Sequence, residues 1–251
     1  MSQPEFHREV HEFFHGGIRF LFLPAAAAQN ISGGNVINDV IDANEVSDVN
    51  DTLDSGRLED ALSLENRQIL KAISNPARRQ EFLRTRFLVR LAAGLASDPG
   101  RDADGLIQWP KEFCGSVSHS LGDVVVATSP TAQCASIGID IEQPSRISDK
   151  LAEKICTDSE RQLICNGAVS LAEVFSAKES LFKCHFPLGR RRFWFLDAEI
   201  VAVNIESGTK KLDLRVLIDT TPLTPANTVT RVDVLPPVFG EFVLSLALLP
   251  A

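Results

Sequence analysis

Gly138-Ile139-Asp140-Ile141-Glu142 and, further along, Phe175-Ser176-Ala177-Lys178-Glu179-Ser180-Leu181-Phe182-Lys183 are the two stretches on which the fold and the chemistry turn. The first alternates as a strand does. Ile139 and Ile141 face one side while Asp140 and Glu142 face the other, about 7 Å apart along the chain. Two carboxylates held together repel unless a cation or a shared proton compensates them. A solvent-exposed strand face is the alternative for any D-x-E taken alone. In the second stretch Glu179 and Lys183 lie one turn apart on a helical face. An ordinary surface ion pair would be weak, but Phe175 and Phe182 flank the pair and imply a helix that packs closely. A helix carboxylate beside two strand carboxylates makes an all-oxygen site with three charges. That donor set suits Mg²⁺, which takes a few carboxylates together with water and substrate phosphate. Lys183 is then placed to neutralise a phosphate oxygen.

The rest of the chain sets bounds on this reading. It has 251 residues, 44% hydrophobic and 23% charged, within the globular range. No apolar run approaches the roughly 20 residues of a membrane span, and no basic-then-apolar leader stands at the N-terminus, so the expectation is a cytoplasmic protein without membrane insertion. Five cysteines, an odd number with no C-x-x-C pair, read as reduced thiols. A net charge of −8 argues against nucleic-acid binding. Nearly all of that charge is local: residues 29–60 hold eight acids against one base, Arg57.

Ile18 to Leu23 reads as a short buried strand closed by Pro24, and Gln29 to about Ser55 as a polar, acidic insertion without a core of its own. Asn75-Pro76 is a good helix start, for a helix running to about Ala96. Strands are expected at Val117, Val124 to Ala127 and Ile137 to Ile141. Helices are expected at Asp149 to Asn166 and Leu171 to His185. The tail from Phe193 alternates in the strand manner, with turns at Ser207-Gly208 and Pro222 to Pro225. A faint repeat runs through this order. Glu65-Asn66-Arg67-Gln68-Ile69-Leu70 echoes Ser159-Glu160-Arg161-Gln162-Leu163-Ile164, and in that frame Arg86 matches Glu179 and Arg90 matches Lys183. The fold class is therefore α+β, with two similar α/β lobes. The N-terminal lobe is placed at 1–125, with the acidic insertion at about 29–56, and the C-terminal lobe at 126–251. A small-molecule cleft is expected between them.

Three further patterns bear on chemistry. On the helix from Pro76, Arg79, Arg86 and Arg90 fall within about 40° of one another at 100° per residue. Three guanidiniums in line fit a polyanion such as a nucleotide, or else form a solvated basic face. Gly115-Ser116-Val117-Ser118-His119-Ser120 lacks the G-x-S-x-G of a nucleophile elbow; its His and hydroxyls could grip a phosphate, or be structural. His7, His11 and His15 recur every four residues and would share one helical face, which invites zinc, although no H-E-x-x-H motif accompanies them.

Taken together, GIDIE followed by FSAKESLFK resembles the 4′-phosphopantetheinyl transferase superfamily, in its long two-lobed form. ARRQEFLRTRFLVRLAAG, WPKEFCGSVSHS and LFKCHFPL…FWFLDAEI are similar to further segments of that family, in the same order, over roughly residues 57–200. The resemblance implies a pseudo-dimer of two lobes, each a small mainly antiparallel sheet on helices, with coenzyme A and Mg²⁺ at the junction. It implies that Asp140, Glu142 and Glu179 hold the metal and that Glu179 helps deprotonate the serine of an apo acyl or peptidyl carrier protein. Lys183 and His119 would hold the coenzyme A phosphates, with Arg79, Arg86 and Ser118 adding contacts. The expected activity is transfer of 4′-phosphopantetheine onto that serine by a monomer. A metal-dependent hydrolase of a coenzyme A-like pyrophosphate and a non-catalytic scaffold are the competing readings. The family's helix reads Gly-Arg where this chain has Thr85-Arg86, and the basic residue often found before its Trp-Pro is missing ahead of Trp109-Pro110.

Overall fold

The computed structural model describes residues 10–25, 55–220, 224–236 and 241–251. The acidic insertion, His7 and Pro222 lie outside the described residues. The chain divides into two compact units, Met1–Phe113 with His119–Thr128, and Cys114–Ser118 with Ser129–Ala251.

In the first unit, strands β1 (His11–His15) and β2 (Ile18–Leu23) form a hairpin through Gly16-Gly17. The short polar loop and the flanking apolar alternation favour a strand pair over the helix that would align the histidines. His11 and His15 are strand residues, and the helical imidazole face is corrected accordingly. β2 pairs with β4 (Asp123–Pro130), and β3 (Phe113–Ser120), whose residues Cys114–Ser118 are counted with the second unit, completes a sheet of order β1-β2-β4-β3. Val124, Val125, Val126 and Ala127 are fully buried, as are Phe20 and Leu23.

Helices α1 (Ser55–Asp60), α2 (Leu64–Ala72) and α3 (Pro76–Ala92) accompany this sheet. Ser63 caps α2, and Asn75 caps α3 by accepting from the Ala77 and Arg78 amides. α3 stops at Ala92 rather than near Ala96. Gly94 takes a left-handed conformation (φ +63°) that ends the helix, and the Leu95 amide bonds back to the Arg90 carbonyl. Leu83, Leu88 and Val89 of α3 are buried.

In the second unit, β5 (Cys134–Glu142), β6 (Ala198–Glu206), β7 (Thr209–Val216), β8 (Val229–Leu235) and β9 (Val243–Pro250) form an antiparallel sheet of order β5-β9-β8-β7-β6. Between β5 and β6 lie α4 (Ala152–Ile155), α5 (Asp158–Cys165) and α6 (Leu171–Gly189). The single helix expected over Asp149 to Asn166 is thus broken. Cys156 and Thr157 are extended, and Thr157 opens α5 with a reciprocal capping box to Glu160. A second box, Ser170 with Glu173, opens α6, which runs four residues beyond His185 through Pro187 and ends on Arg190 in a left-handed conformation. Val174, Ala177, Leu181 and Cys184 of α6 pack on Leu212, Leu214, Val216, Val232 and Ala247. Each unit therefore sets helices on an antiparallel sheet, the α+β class expected from the sequence.

His185 sits fully buried in this core, with Nδ1 3.0 Å from the Thr220 hydroxyl and Nε2 3.0 Å from that of Thr230. Burial disfavours its charged form and pushes its pKa from the ordinary 6.5 down to about 4. Because the folded pKa is depressed, the stabilisation is complete above pH 6.5 and is lost as pH falls toward 4. Between pH 7.0 and 4.5 the wild-type unfolding free energy should drop by about 2–3 kcal/mol more than that of His185→Gln, as read by urea denaturation. Equal drops would remove His185 from the acid response.

Candidate active site

Gly138 is where α6 meets β5. A Cβ there would overlap the Ser180 carbonyl oxygen and stand 2.5 Å from the Cys184 amide nitrogen, so helix backbone lies directly on the strand. Two serines fasten the crossing: Ser136 Oγ donates to the Cys184 carbonyl at 2.6 Å, and Ser176 Oγ to the Asp140 carbonyl at 3.1 Å. The face of β5 carrying Asp140 is thereby covered by the helix carrying Glu179 and Lys183. Asp140 is 3% exposed, so the carboxylate face is no solvated strand surface.

β5 is an edge strand, and its outward amides need acceptors. Ser116 Oγ accepts from Ile139 N–H at 3.1 Å, and Ser118 Oγ from Ile141 N–H at 3.2 Å. Ser118 then donates to Asp140 Oδ1 at 3.0 Å, while Lys183 Nζ donates to Asp140 Oδ1 at 2.7 Å and to Ser118 Oγ at 3.1 Å. Ser118, Asp140 and Lys183 thus meet within one unit. The other Asp140 oxygen, Oδ2, is buried with no hydrogen-bond partner among the described residues.

Two more carboxyls feel this centre. Burial and then the charge of Asp140 push Glu142 up to about 7, against the opposing pull of Lys183 and Arg146. Glu179 is raised by burial and by Asp140, with Lys183 opposing. The charges of three carboxyl groups are therefore felt with one ammonium among them, an arrangement short of positive charge. Among the described residues, no three His, Cys, Asp or Glu side chains already stand as a ready-made metal cage; here Lys183 occupies Asp140 Oδ1. The orphaned Oδ2 and the mutual repulsion of Asp140, Glu142 and Glu179 fit a divalent cation with hard oxygen preference.

Arg79 and Arg86 of the arginine stripe are engaged by protein groups. Arg86 is fully buried; it pairs with Asp98 at 2.5 Å and donates to the Pro99 carbonyl, while Asp98 also accepts from Asn66 at 2.6 Å. This network ties α3 to α2 and leaves Arg86 pointed at protein. Arg79 bonds the Leu70 carbonyl at 2.9 Å and Glu59 at 2.7 Å. A cavity of about 410 Å³ in the first unit is lined instead by Arg78, Arg101 and His119, with Glu81, Phe82 and Thr85 among the other walls. The Arg101 guanidinium lies 5.6 Å over the Phe82 ring, and His119 Nδ1 is 3.4 Å from Glu81. Of the sequence candidates for phosphate contacts, only His119 lines this cavity. Arg101 escaped sequence reading because a loop residue after Asp98-Pro99-Gly100 has no periodicity to place it beside a helix, and Arg78 because it falls outside the stripe that Arg79 shares with Arg86 and Arg90.

Residues 64–129 match the 4′-phosphopantetheinyl transferase N-terminal domain, and residues 136–229 the 4′-phosphopantetheinyl transferase superfamily. The 4′-phosphopantetheinyl transferase Svp of Streptomyces mobaraensis is 34% identical over 144 residues, 53% of this chain and 58% of that relative. PptT of Mycobacterium tuberculosis, also a 4′-phosphopantetheinyl transferase, is 30% identical over 159 residues, 60% of this chain and 70% of that one. A crystal structure of Thermotoga maritima holo-[acyl-carrier-protein] synthase is 23% identical with a TM-score of 0.31, covering 45% of this chain and 61% of that one. The match to Svp spans less than two thirds of that relative's length. The chain belongs to the 4′-phosphopantetheinyl transferase superfamily.

Proposed function

We propose that this protein transfers the 4′-phosphopantetheine of coenzyme A to a serine hydroxyl of an apo acyl or peptidyl carrier protein. The observation that carries the reading is the assembly of Asp140, Ser118 and Lys183, with Glu142 and Glu179 drawn to it, in a chain of this family. The serine oxygen attacks the β-phosphorus, the bond to the 3′,5′-adenosine bisphosphate leaving group breaks, and the serine proton passes to a base. Glu179, made more basic by burial, is the group that takes this proton. Lys183, with its side chain 27% exposed, donates to a phosphate oxygen as charge develops there. Asp140, Glu142 and Glu179 would hold Mg²⁺, which when bound neutralises the pyrophosphate oxygens. The cavity of the first unit, with Arg78, Arg101 and His119 in its walls, offers cationic and hydrogen-bonding groups to a polyanion.

The carboxylates, Ser118 and Lys183 belong to one unit, so no second copy is needed to complete the set, which supports a monomer. Cys114, Cys134, Cys156, Cys165 and Cys184 are free thiols, as a reducing cytoplasm would keep them. Among the described residues no helix is long and apolar enough to cross a membrane.

Intact-mass analysis of apo carrier proteins with coenzyme A and Mg²⁺ tests the reading. One phosphopantetheine should be gained per carrier, and EDTA should block the gain. Asp140→Ala and Glu179→Ala should each lower the rate at least about a hundredfold while the proteins remain folded. Free phosphopantetheine without carrier labelling would mean a hydrolase. Coenzyme A binding with neither product would mean a scaffold.

A further inference from the structure

The helix that bears Glu179 and Lys183 ends in a surface with its own chemistry. Leu188 is 37% exposed, Trp194 73% and Leu196 49%. Arg190, Arg191 and Arg192 stand exposed between them, and residues 186–196 contain no acid, in a chain of net charge −8. The segment is anchored rather than loose. Phe193 is buried, and Phe195 stacks on Phe175 at 5.3 Å. The Trp194 amide donates to Asp197 at 2.8 Å, and the Arg192 guanidinium lies 5.3 Å over the Phe186 ring. An indole held out in water by a pinned backbone gives the fold nothing; tryptophan and arginine together are the residue types that dominate binding surfaces. The patch begins five residues after Lys183, or about 7.5 Å along the helix axis.

We infer that Leu188, Arg190, Arg191, Arg192, Trp194 and Leu196 form the docking surface for an acidic, amphipathic helix of the carrier protein. The inference rests on the transfer reading above. Guanidinium forks match carboxylates in pairs, and Trp194 with Leu188 and Leu196 receives the apolar side of such a helix. Three arginines with no acid among residues 186–196 select an acidic partner by charge complementarity and steer its approach.

Steady-state transfer to a purified apo acyl carrier protein tests this, with coenzyme A saturating. Trp194→Ala and Arg191→Glu should each raise the KM for the carrier about tenfold. The kcat and the KM for coenzyme A should stay within about twofold of wild type. Added NaCl should raise the wild-type KM, and Arg191→Glu should flatten that dependence. An unchanged carrier KM in both variants overturns the docking surface while leaving transfer intact. Failure of wild type to label any carrier overturns the transfer reading itself. Cosedimentation of wild type, but not Arg191→Glu, with phosphatidylserine vesicles, alongside an unchanged carrier KM, would assign the patch to a membrane surface and overturn the carrier role.

Discussion

Gly138→Ala should lose at least about 3 kcal/mol of unfolding free energy and most of any transfer activity, one of the two largest effects expected from single substitutions here. The added methyl group meets backbone on the α6 side, the Ser180 carbonyl and the Cys184 amide, with the Cys184 Cβ 2.9 Å away. A flexible side chain could swing aside, whereas helix backbone can only move as a whole. Such a shift would strain the Ser136 and Ser176 bonds that cross the same interface. It would also draw Lys183 away from Asp140, so stability and activity should fall together. Guanidinium denaturation and the carrier mass assay read the two effects. Near-wild-type values in both would mean that α6 does not rest on β5.

The second large effect concerns the ion pair beneath the site. Lys178 Nζ spends its three protons on Glu160 at 2.7 Å, the Ile155 carbonyl at 2.8 Å and the Phe195 carbonyl at 2.9 Å. Glu160 accepts in addition from the Thr157 amide at 2.8 Å and the Ile200 amide at 2.9 Å. Both side chains are sealed from water, at 1% and 0% exposure. Burial lowers the Lys178 pKa, and Glu160 opposes that shift. Removing one partner strands the other charge, so Lys178→Met or Glu160→Gln should each cost about 3–5 kcal/mol. The double variant should lose less than the sum of the singles, because no lone charge remains. Additive losses would show that the two side chains do not act as a pair. The pair gathers α4, α5, α6 and the start of β6 around one point, so Glu179, the next residue along, is held by a satisfied polar anchor.

Local periodicity was enough to find most elements. Ile18 to Leu23 has the strand alternation and the proline stop that the structure shows, and Asn75-Pro76 opens a helix for the capping reason the sequence displays. The T-x-x-E box at Thr157 was equally legible, yet it lay inside a stretch whose apolar spacing read as one unbroken helix. The histidine spacing suits a helix and a strand alike, since residues four apart share a face in either, and only the hairpin at Gly16-Gly17 separates them. The carboxylates could be nominated from D-x-E on a strand and K-E-x-x-x-K on a helix, because each motif lies within one element.

By itself the sequence determined the α+β class, the positions of the main strands and helices, and the identity of the charged residues at the centre. Tertiary structure alone decided which charges meet. Arg86 turns to Asp98 and Asn66, Lys178 to Glu160, and Lys183 to Asp140. Helical spacing orders side chains around one axis and carries no information about the element packed opposite. Which neighbour arrives is set by the backbone approach that Gly138 allows and by the burial that forces every charge to find a partner.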